Sequence, residues 1–406
     1  MTLHEYGTTD LTASQLTESD LARLKMLTAQ GKMTVTPSGS GWRVTVGATV
    51  GILPLDRIRL VIRPKFAISG TRLIDWLCYA LAVPVQHHTS LRNWTTSPTG
   101  FTDLVAAALL RECQTLLRTG LRQDYVRRRS IEPMLRGRLD IQRQATHRYG
   151  LVDRLHVETF DRENDIWENQ VCGAALAAAV ALAGDHTLAR ALAETASEFP
   201  QVSPPTAVRA LARAQYTRLN SRYRNAHTWA RLLLTSGGVD DLLAEQGKQR
   251  AGTLLLDMPA LWEKVVRRLF EEAAASLDGY VVRSSGARAI STTGDLQGRR
   301  TFRPDVLLRF PKSGLMPVDA KYKKYGSKNI GADDVHQLLT YMTGYSSSVV
   351  LAHPSPDGAS FRTLRTCGPY GALGNIEVVG VDTTTTPEKS LPHLQKVCAN
   401  ATTRPG

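Results

Sequence analysis

The sequence predicts a mixed α/β protein, and three observations predict it. The chain has 406 residues, 42% of them hydrophobic and 21% charged. That is long enough for two or three domains with a buried core, and it rules out a largely disordered, coiled-coil or collagen-like chain. Around residue 60, Ile58, Leu60 and Ile62 alternate with Arg57, Arg59, Val61 and Arg63, the period of a strand with one buried face. Further on, Phe101, Leu104, Val105, Ala108, Leu109, Leu116 and Leu117 fall largely on one side of a helix.

Taken in order, a polar helix is expected over residues 17–30, then strands over 42–46, 50–53 and 58–62, the last bracketed by Pro54 and Pro64. Leu73, Ile74, Leu77 and Leu81 recur at helical spacing, in a short helix that stops near Pro84. Residues 1–98 therefore read as an N-terminal mixed α/β module. Residues 99–245 read as a helical middle domain. Its first helix stops at Gly120, and a basic stretch follows with Arg122, Arg127, Arg128, Arg129, Arg136, Arg138, Arg143 and Arg148. Further helices are expected over 166–183, 205–219 and 226–234, and Ser236-Gly237-Gly238 makes a natural boundary. Over residues 246–385 helix and strand alternate. An amphipathic helix spans 258–275, with Asp257 as its N-cap and Pro259 in its first turn. Strands are expected over 280–282, 305–310 and 315–320, a helix over 333–345 and a buried strand over 348–352. The residues after Val381 are rich in Thr and Pro, and 386–406 is expected to be a loose tail.

Lys and Arg number 50 against 37 Asp and Glu, a net charge of +13. Such an excess favours a polyanionic partner, nucleic acid first and an anionic membrane surface second. The longest apolar run, residues 171–183, is too short to span a membrane, which needs ~20 residues, and no signal peptide is evident at the N-terminus. The five cysteines, Cys78, Cys113, Cys172, Cys367 and Cys398, are scattered and form no CxxC pair. They read as structural thiols in a reducing cytoplasm. No G-x-x-x-x-G-K-[ST] phosphate loop is present, so any NTP must be used by another chain.

The sharpest chemical signal is Arg303-Pro304-Asp305-Val306-Leu307-Leu308, followed by Val318-Asp319-Ala320-Lys321-Tyr322-Lys323. Asp305 begins one strand and Asp319 ends the next, so a hairpin between them brings both carboxylates to one end of a sheet. Lys321, two residues beyond Asp319, points to the same side in extended chain. Two hard oxygen ligands, Asp305 and Asp319, with a backbone carbonyl such as that of Ala320, suit Mg²⁺. A lysine beside the ion can orient the attacking water and offset charge building on a phosphate. Pro-Asp is also ordinary turn chemistry and Asp-x-Lys an ordinary solvated salt bridge. Gln337 and Tyr341, i and i+4 on one helix, can reach the same edge, or simply form the polar face of an amphipathic helix. Glu263 offers a third carboxylate, directly or through water; an i,i+4 pair with Arg267 explains it as well.

Glu263, Pro304-Asp305, Asp319-Ala320-Lys321 and Gln337-x-x-x-Tyr341 together resemble the PD-(D/E)xK nuclease core. The whole chain resembles the McrC family, the nuclease subunit of 5-methylcytosine-dependent restriction systems. Val50-Gly51-Ile52 leading to Ile62-Arg63-Pro64-Lys65 is similar to the family's N-terminal strands. Leu135-Arg136-Gly137-Arg138-Leu139-Asp140 and Glu163-Asn164-Asp165-Ile166-Trp167-Glu168-Asn169 resemble its middle region. The resemblance implies a C-terminal nuclease core with a central mixed sheet flanked by helices. It implies a Mg²⁺-dependent endodeoxyribonuclease, with Mn²⁺ as the alternative ion, acting on modified DNA with an AAA+ GTPase partner in defence against foreign DNA. The non-nuclease part, residues 1–98 among it, is then where the partner docks and is stimulated. One site per chain implies at least two copies for double-strand cleavage.

Lys323 and Lys324, with Lys328, follow the Asp-x-Lys strand and are placed to approach phosphate; Arg303, with Arg299 and Arg300 in a Gly-rich loop (Gly286, Gly294, Gly298), flanks Asp305. Tyr341 completes the expected DNA-facing set. The Arg127-Arg128-Arg129 run reads equally as a DNA-backbone contact or as a solvated edge strand guarding against aggregation. His87-His88 and His336 lack metal-ligand spacing and read as surface or packing residues. Two alternatives stand beside the restriction reading: a stand-alone repair or recombination nuclease of the same fold, and a non-catalytic basic adaptor that docks DNA.

Overall fold

The structure, a computed structural model, describes residues 1–66, 68, 70–82, 100–234, 254–282, 290–291, 301–311, 314–325 and 329–403. Pro84, His87-His88, Ser236-Gly237-Gly238, Gly286, Gly294, Gly298, Arg299, Arg300 and Lys328 lie outside the described residues. The chain forms two compact units. One gathers residues 1–104 and 255–406, and the other is built on the described residues from 105 to 234.

The N-terminal segments are β1 (Thr2–His4), β2 (Thr8–Thr12), α1 (Glu18–Ala29), β3 (Met33–Ser38), β4 (Gly41–Val46), β5 (Thr49–Pro54), β6 (Arg59–Arg63) and α2 (Gly70–Ala80). The Thr17 hydroxyl caps α1 by accepting from the Asp20 N–H, and the Asp20 carboxylate accepts from the Thr17 N–H in return. Leu24 and Leu27 of α1 pack on Leu11, Val44 and Val46 of the β2-β4-β3 sheet. In β6 the expected one-sided burial is corrected: Leu60, Val61 and Ile62 are all buried. This strand pairs parallel with β1 and antiparallel with β5, so it is interior to its sheet.

The second unit contains α3 (Gly100–Arg118), β7 (Asp124–Glu132), β8 (Arg138–Leu139), α4 (Ile141–His147), β9 (Leu155–Glu163), α5 (Trp167–Leu182), α6 (His186–Ser197), α7 (Pro204–Ala212) and α8 (Arg224–Leu234). Gly120, with φ of +79°, follows the last turn of α3, a conformation that favours glycine. The alanine-rich α5 is buried on several sides and packs against α6, α7 and α8. The purely helical reading of this region needs correction, because β7, β9 and β8 form an antiparallel sheet. The Arg127–Arg129 run lies on β7, an edge strand. Arg127 pairs with Glu158, and Arg128 with Glu163 at 2.6 Å. The alternative of a charged edge strand therefore describes its secondary structure.

The remainder supplies β10 (Leu254–Asp257), α9 (Met258–Ala275), β11 (Tyr280–Val281), β12 (Ile290–Ser291), β13 (Thr301–Phe302), β14 (Val306–Phe310), β15 (Gly314–Ala320), α10 (Ala332–Gly344), β16 (Ser348–Ser355), β17 (Ser360–Gly368), β18 (Gly371–Asp382) and α11 (Leu391–Thr403). Six strands form one mixed sheet in the order β11-β14-β15-β16-β18-β17. β14 and β15 are antiparallel, whereas β15, β16 and β18 run parallel. Leu338, Tyr341 and Met342 of α10 cover Val349, Leu351, Ile376 and Val378. α9, capped by Asp257 through the Ala260 N–H, packs on β14 and β15 and against α2 and α11.

Two expectations change here. β10 joins the N-terminal sheet in the order β1-β6-β5-β10, and Leu255 enters the N-terminal core. Residues 1–98 and the C-terminal segment, read separately from sequence, thus share one unit. Residues 386–406 are not simply a loose tail either. Leu394, Val397 and Cys398 of α11 are buried, on a helix that packs against α9.

Candidate active site

The register of β14 against β15 pairs Val306 with Val318, so Asp305, one residue before, arrives beside Asp319. The backbone N–H of Ala320 donates to Asp305 Oδ2 at 2.7 Å. The Asp305 carbonyl accepts from the Arg267 guanidinium on α9. Asp319 is 1% exposed, and among the described residues its Oδ1 has no hydrogen-bond partner. The Lys321 ammonium sits 3.0 Å from Asp319 Oδ2 as an ion pair.

Lys321 is held from a second side. Its Nζ donates to Gln337 Oε1 at 2.8 Å. The Gln337 amide donates to the Tyr341 hydroxyl at 2.8 Å, and that hydroxyl donates to the carbonyl of Arg303 at 2.6 Å; the expectation that Tyr341 faces DNA is corrected, because the residue is 1% exposed and packs in the core under α10. A directed chain of donors thus runs from Lys321 back to the residue preceding Pro304-Asp305. At this same end of β15 the Lys321 N–H donates to the Ala352 carbonyl at 2.9 Å, which also accepts from the Trp262 indole at 3.2 Å. Trp262 adjoins Glu263 on α9, so one turn of that helix is fixed against the sheet edge.

Burial, then the neighbouring Asp319 charge, push the Asp305 carboxyl up to about 7, although the Ala320 N–H and Lys321 pull the other way. Burial raises Asp319, against the pull of Lys321. Glu263 is raised by burial and then by Asp257; Lys321 opposes the shift and Asp319 adds to it. One ammonium facing three acids leaves a deficit of positive charge that a small cation would fill. Among the described residues no three His, Cys, Asp or Glu side chains converge closely enough to hold an ion between them. Glu263 therefore belongs to the group electrostatically, while Asp305, Asp319, Ala320, Lys321, Gln337 and Tyr341 are joined through direct contacts.

The basic residues divide. Lys323 donates to both Asp334 oxygens, at 3.0 and 2.8 Å, and the Tyr325 hydroxyl donates to the same carboxylate. Burial opposes the shift, but those bonds hold Asp334 below the usual carboxylate range. Lys324 is exposed and lies 3.9 Å from Asp357. Arg303 is exposed beside Asp305. Sequence reasoning missed Tyr325 and Asp334, and named Arg267 only as a partner for Glu263, whereas it reaches the Asp305 carbonyl. Asp334 does carry a legible helix-first-turn position, but nothing in the sequence names its partners.

A family model described as "McrBC 5-methylcytosine restriction system component" matches residues 44–350. Among solved structures, a refined half-complex from a tetradecameric assembly of Thermococcus gammatolerans McrB AAA+ hexamers with bound McrC aligns with 98% of this chain and 99% of that chain. Its identity is 16% and its TM-score 0.70, a likeness of fold. A cryo-EM structure of the Thermococcus gammatolerans McrBC complex covers 67% of this chain and 87% of that chain, at 17% identity and a TM-score of 0.48. No curated protein matches.

Proposed function

The chain belongs to the McrC family of the McrBC 5-methylcytosine restriction system, and from that premise we propose that it is the metal-dependent endodeoxyribonuclease subunit of such a system. It hydrolyses phosphodiester bonds of modified DNA in the cytoplasm, as a defence against foreign DNA. It works with an AAA+ GTPase partner, whose hydrolysis it stimulates. The observation that carries this reading is the meeting of Asp305, Asp319 and Lys321 at one end of two paired strands.

The donor set fits a hard divalent ion. Asp319 Oδ2 faces only the Lys321 ammonium and its buried Oδ1 has no hydrogen-bond partner among the described residues, an arrangement that is costly unless a further cation satisfies it. Asp305, Asp319 and the Ala320 carbonyl would hold Mg²⁺, or Mn²⁺ in its place, with Glu263 joining through water. Bound there, the ion would supply Lewis-acid stabilisation of phosphate charge and a more acidic water. Lys321, fixed between Asp319 and Gln337, orients the attacking water and offsets charge developing on the phosphate. Gln337 and Tyr341 aim that ammonium. Arg303, Lys324 and Lys323 line the approach of the DNA backbone, Lys323 with its charge already shared with Asp334.

Cleavage of methylated and unmethylated DNA, with Mg²⁺ and with or without the GTPase partner and GTP, tests the reading. Methylated DNA is cut only when partner and GTP are present, and Asp319→Ala lowers the rate by at least ~100-fold. Cleavage by the isolated chain without GTP would favour a stand-alone nuclease. An Asp319→Ala protein that cut normally would remove the catalytic assignment.

A further inference from the structure

The residue after the catalytic lysine is tied to the N-terminal strands. Tyr322 is buried, and its backbone carbonyl accepts from the Lys65 ammonium at 2.8 Å. Its hydroxyl donates to Glu5 Oε2 at 3.2 Å, and the same oxygen accepts from the Lys65 N–H at 2.7 Å. The Lys65 ammonium lies 4.4 Å from the Tyr322 ring centroid, 4.9 Å from that of Tyr6 and 5.2 Å from that of Phe66. Phe66 meets Tyr322 edge-on, with centroids 4.8 Å apart. Cation–π attraction and a charge-assisted bond to a carbonyl therefore act on one ammonium together.

This clasp has features of a device and not of incidental packing. Glu5 is 5% exposed, and its Oε1 has no hydrogen-bond partner among the described residues. A buried carboxylate so incompletely satisfied is costly by itself. Tyr6 adopts a φ of 62°, a left-handed conformation that a non-glycine residue takes only at a cost. That conformation sets the ring beside Lys65. The clasp spans more than 250 residues of sequence, yet both ends lie in the same compact unit.

We propose that Glu5, Lys65 and Tyr322 are positioning residues for phosphodiester hydrolysis: by fixing the main chain at Tyr322 they fix the reach of Lys321 toward Asp319 and Gln337. This rests on the nuclease reading above. Lys321 is the first residue beyond β15, held on one side only, by its N–H on the Ala352 carbonyl, and its ammonium must hold two partners at 3.0 and 2.8 Å at once. Displacement of a catalytic group by about 1 Å can cost ~100-fold in rate, so a second anchor one residue further on matters.

The test uses the full chain with its GTPase partner, GTP, Mg²⁺ and a 5-methylcytosine-containing plasmid. Lys65→Met keeps an unbranched side chain one atom shorter and removes its charge and donors. Cleavage should slow about tenfold or more, while Lys65→Arg, which restores a cationic donor, recovers most of the rate. If Lys65 acts through Lys321, the Lys65→Met/Gln337→Ala double variant is no slower than the slower single variant, because either change alone already frees the ammonium. Hydrogen exchange of the metal-free chain should also quicken in the peptide covering residues 319–325. If Lys65→Met does not fold, Tyr322→Phe is read in its place, since it removes only the hydroxyl. Wild-type rates in the folded variant, or losses that multiply in the double variant, overturn the proposal. If Asp319→Ala is inactive while Lys65→Met cuts like wild type, the clasp alone is refuted. If Asp319→Ala cuts normally, the nuclease reading fails and the clasp's role falls with it.

Discussion

Asp305 changes charge near neutrality, and this has a measurable consequence. Its carboxyl rises from 3.8 to about 7 on folding, through burial first and the Asp319 charge second. The folded chain therefore holds a proton that the unfolded chain releases. Stability from this group is fully present below the unfolded value and is lost as pH rises through about 7. A tenfold change in proton affinity is worth about 1.4 kcal/mol, so the loss is at most about 4 kcal/mol. Without divalent ions the melting temperature should fall between about pH 5 and about pH 8, and Asp305→Asn should flatten that fall. Added Mg²⁺ should restore stability at the alkaline end, because it favours the ionised pair. A melting temperature that rises over this range in wild type would contradict the assignment. Gln337→Ala, which frees the Lys321 ammonium on one side, should slow cleavage about tenfold with little change in stability, as kinetics and thermal melting would report. These residues were legible in sequence because a two-strand register and an i,i+4 spacing suffice to bring them together. Glu5, Lys65, Arg267 and Asp334 were not, because their partners are set by packing between distant segments.

Among the elements, α11 gives the sharpest difference from expectation. Residues 386–406 look loose by composition, yet Leu394 is 0% exposed on a helix that packs against α9. Leu394→Ala should cost about 2–5 kcal/mol, read by denaturant unfolding. A loose tail would give no change. The signal was the spacing of Leu391, Leu394, Val397 and Cys398, which the neighbouring Thr and Pro residues obscured. The β7–β9–β8 sheet was hidden for another reason. β7 is exposed or only partly buried throughout its length, so it carries no alternating apolar pattern, and its pairing is supported by cross-strand Arg–Glu contacts. By contrast α9 begins and ends where Asp257, Pro259 and the apolar period place it, because capping and amphipathicity are local properties. Helix α7 stops at Ala212, short of the expected 219.

For the whole molecule, the count of sites governs the product. On the proposed nuclease reading, one Asp305–Asp319–Lys321 site per chain would cut one strand, so double-strand cleavage would need two chains acting together. Mixing wild-type chains with an excess of Asp319→Ala chains should convert linear plasmid products into nicked circles. Linear product formed at an undiminished share would mean that one chain cuts both strands. The α/β class, the order of elements around the site and strands β14 and β15 were readable from the chain. The shared unit of N-terminal and C-terminal segments was not, since it depends on β10 adding to a sheet made some 200 residues earlier. That sharing places residues 1–66 and β15 in one compact unit.

The most direct measurement of the central claim is Mn²⁺ binding to the purified chain, followed by electron paramagnetic resonance, for wild type, Asp305→Ala and Asp319→Ala. Wild type should take up one ion competed by Mg²⁺, and either substitution should abolish that uptake. Undiminished binding in Asp319→Ala would contradict the account.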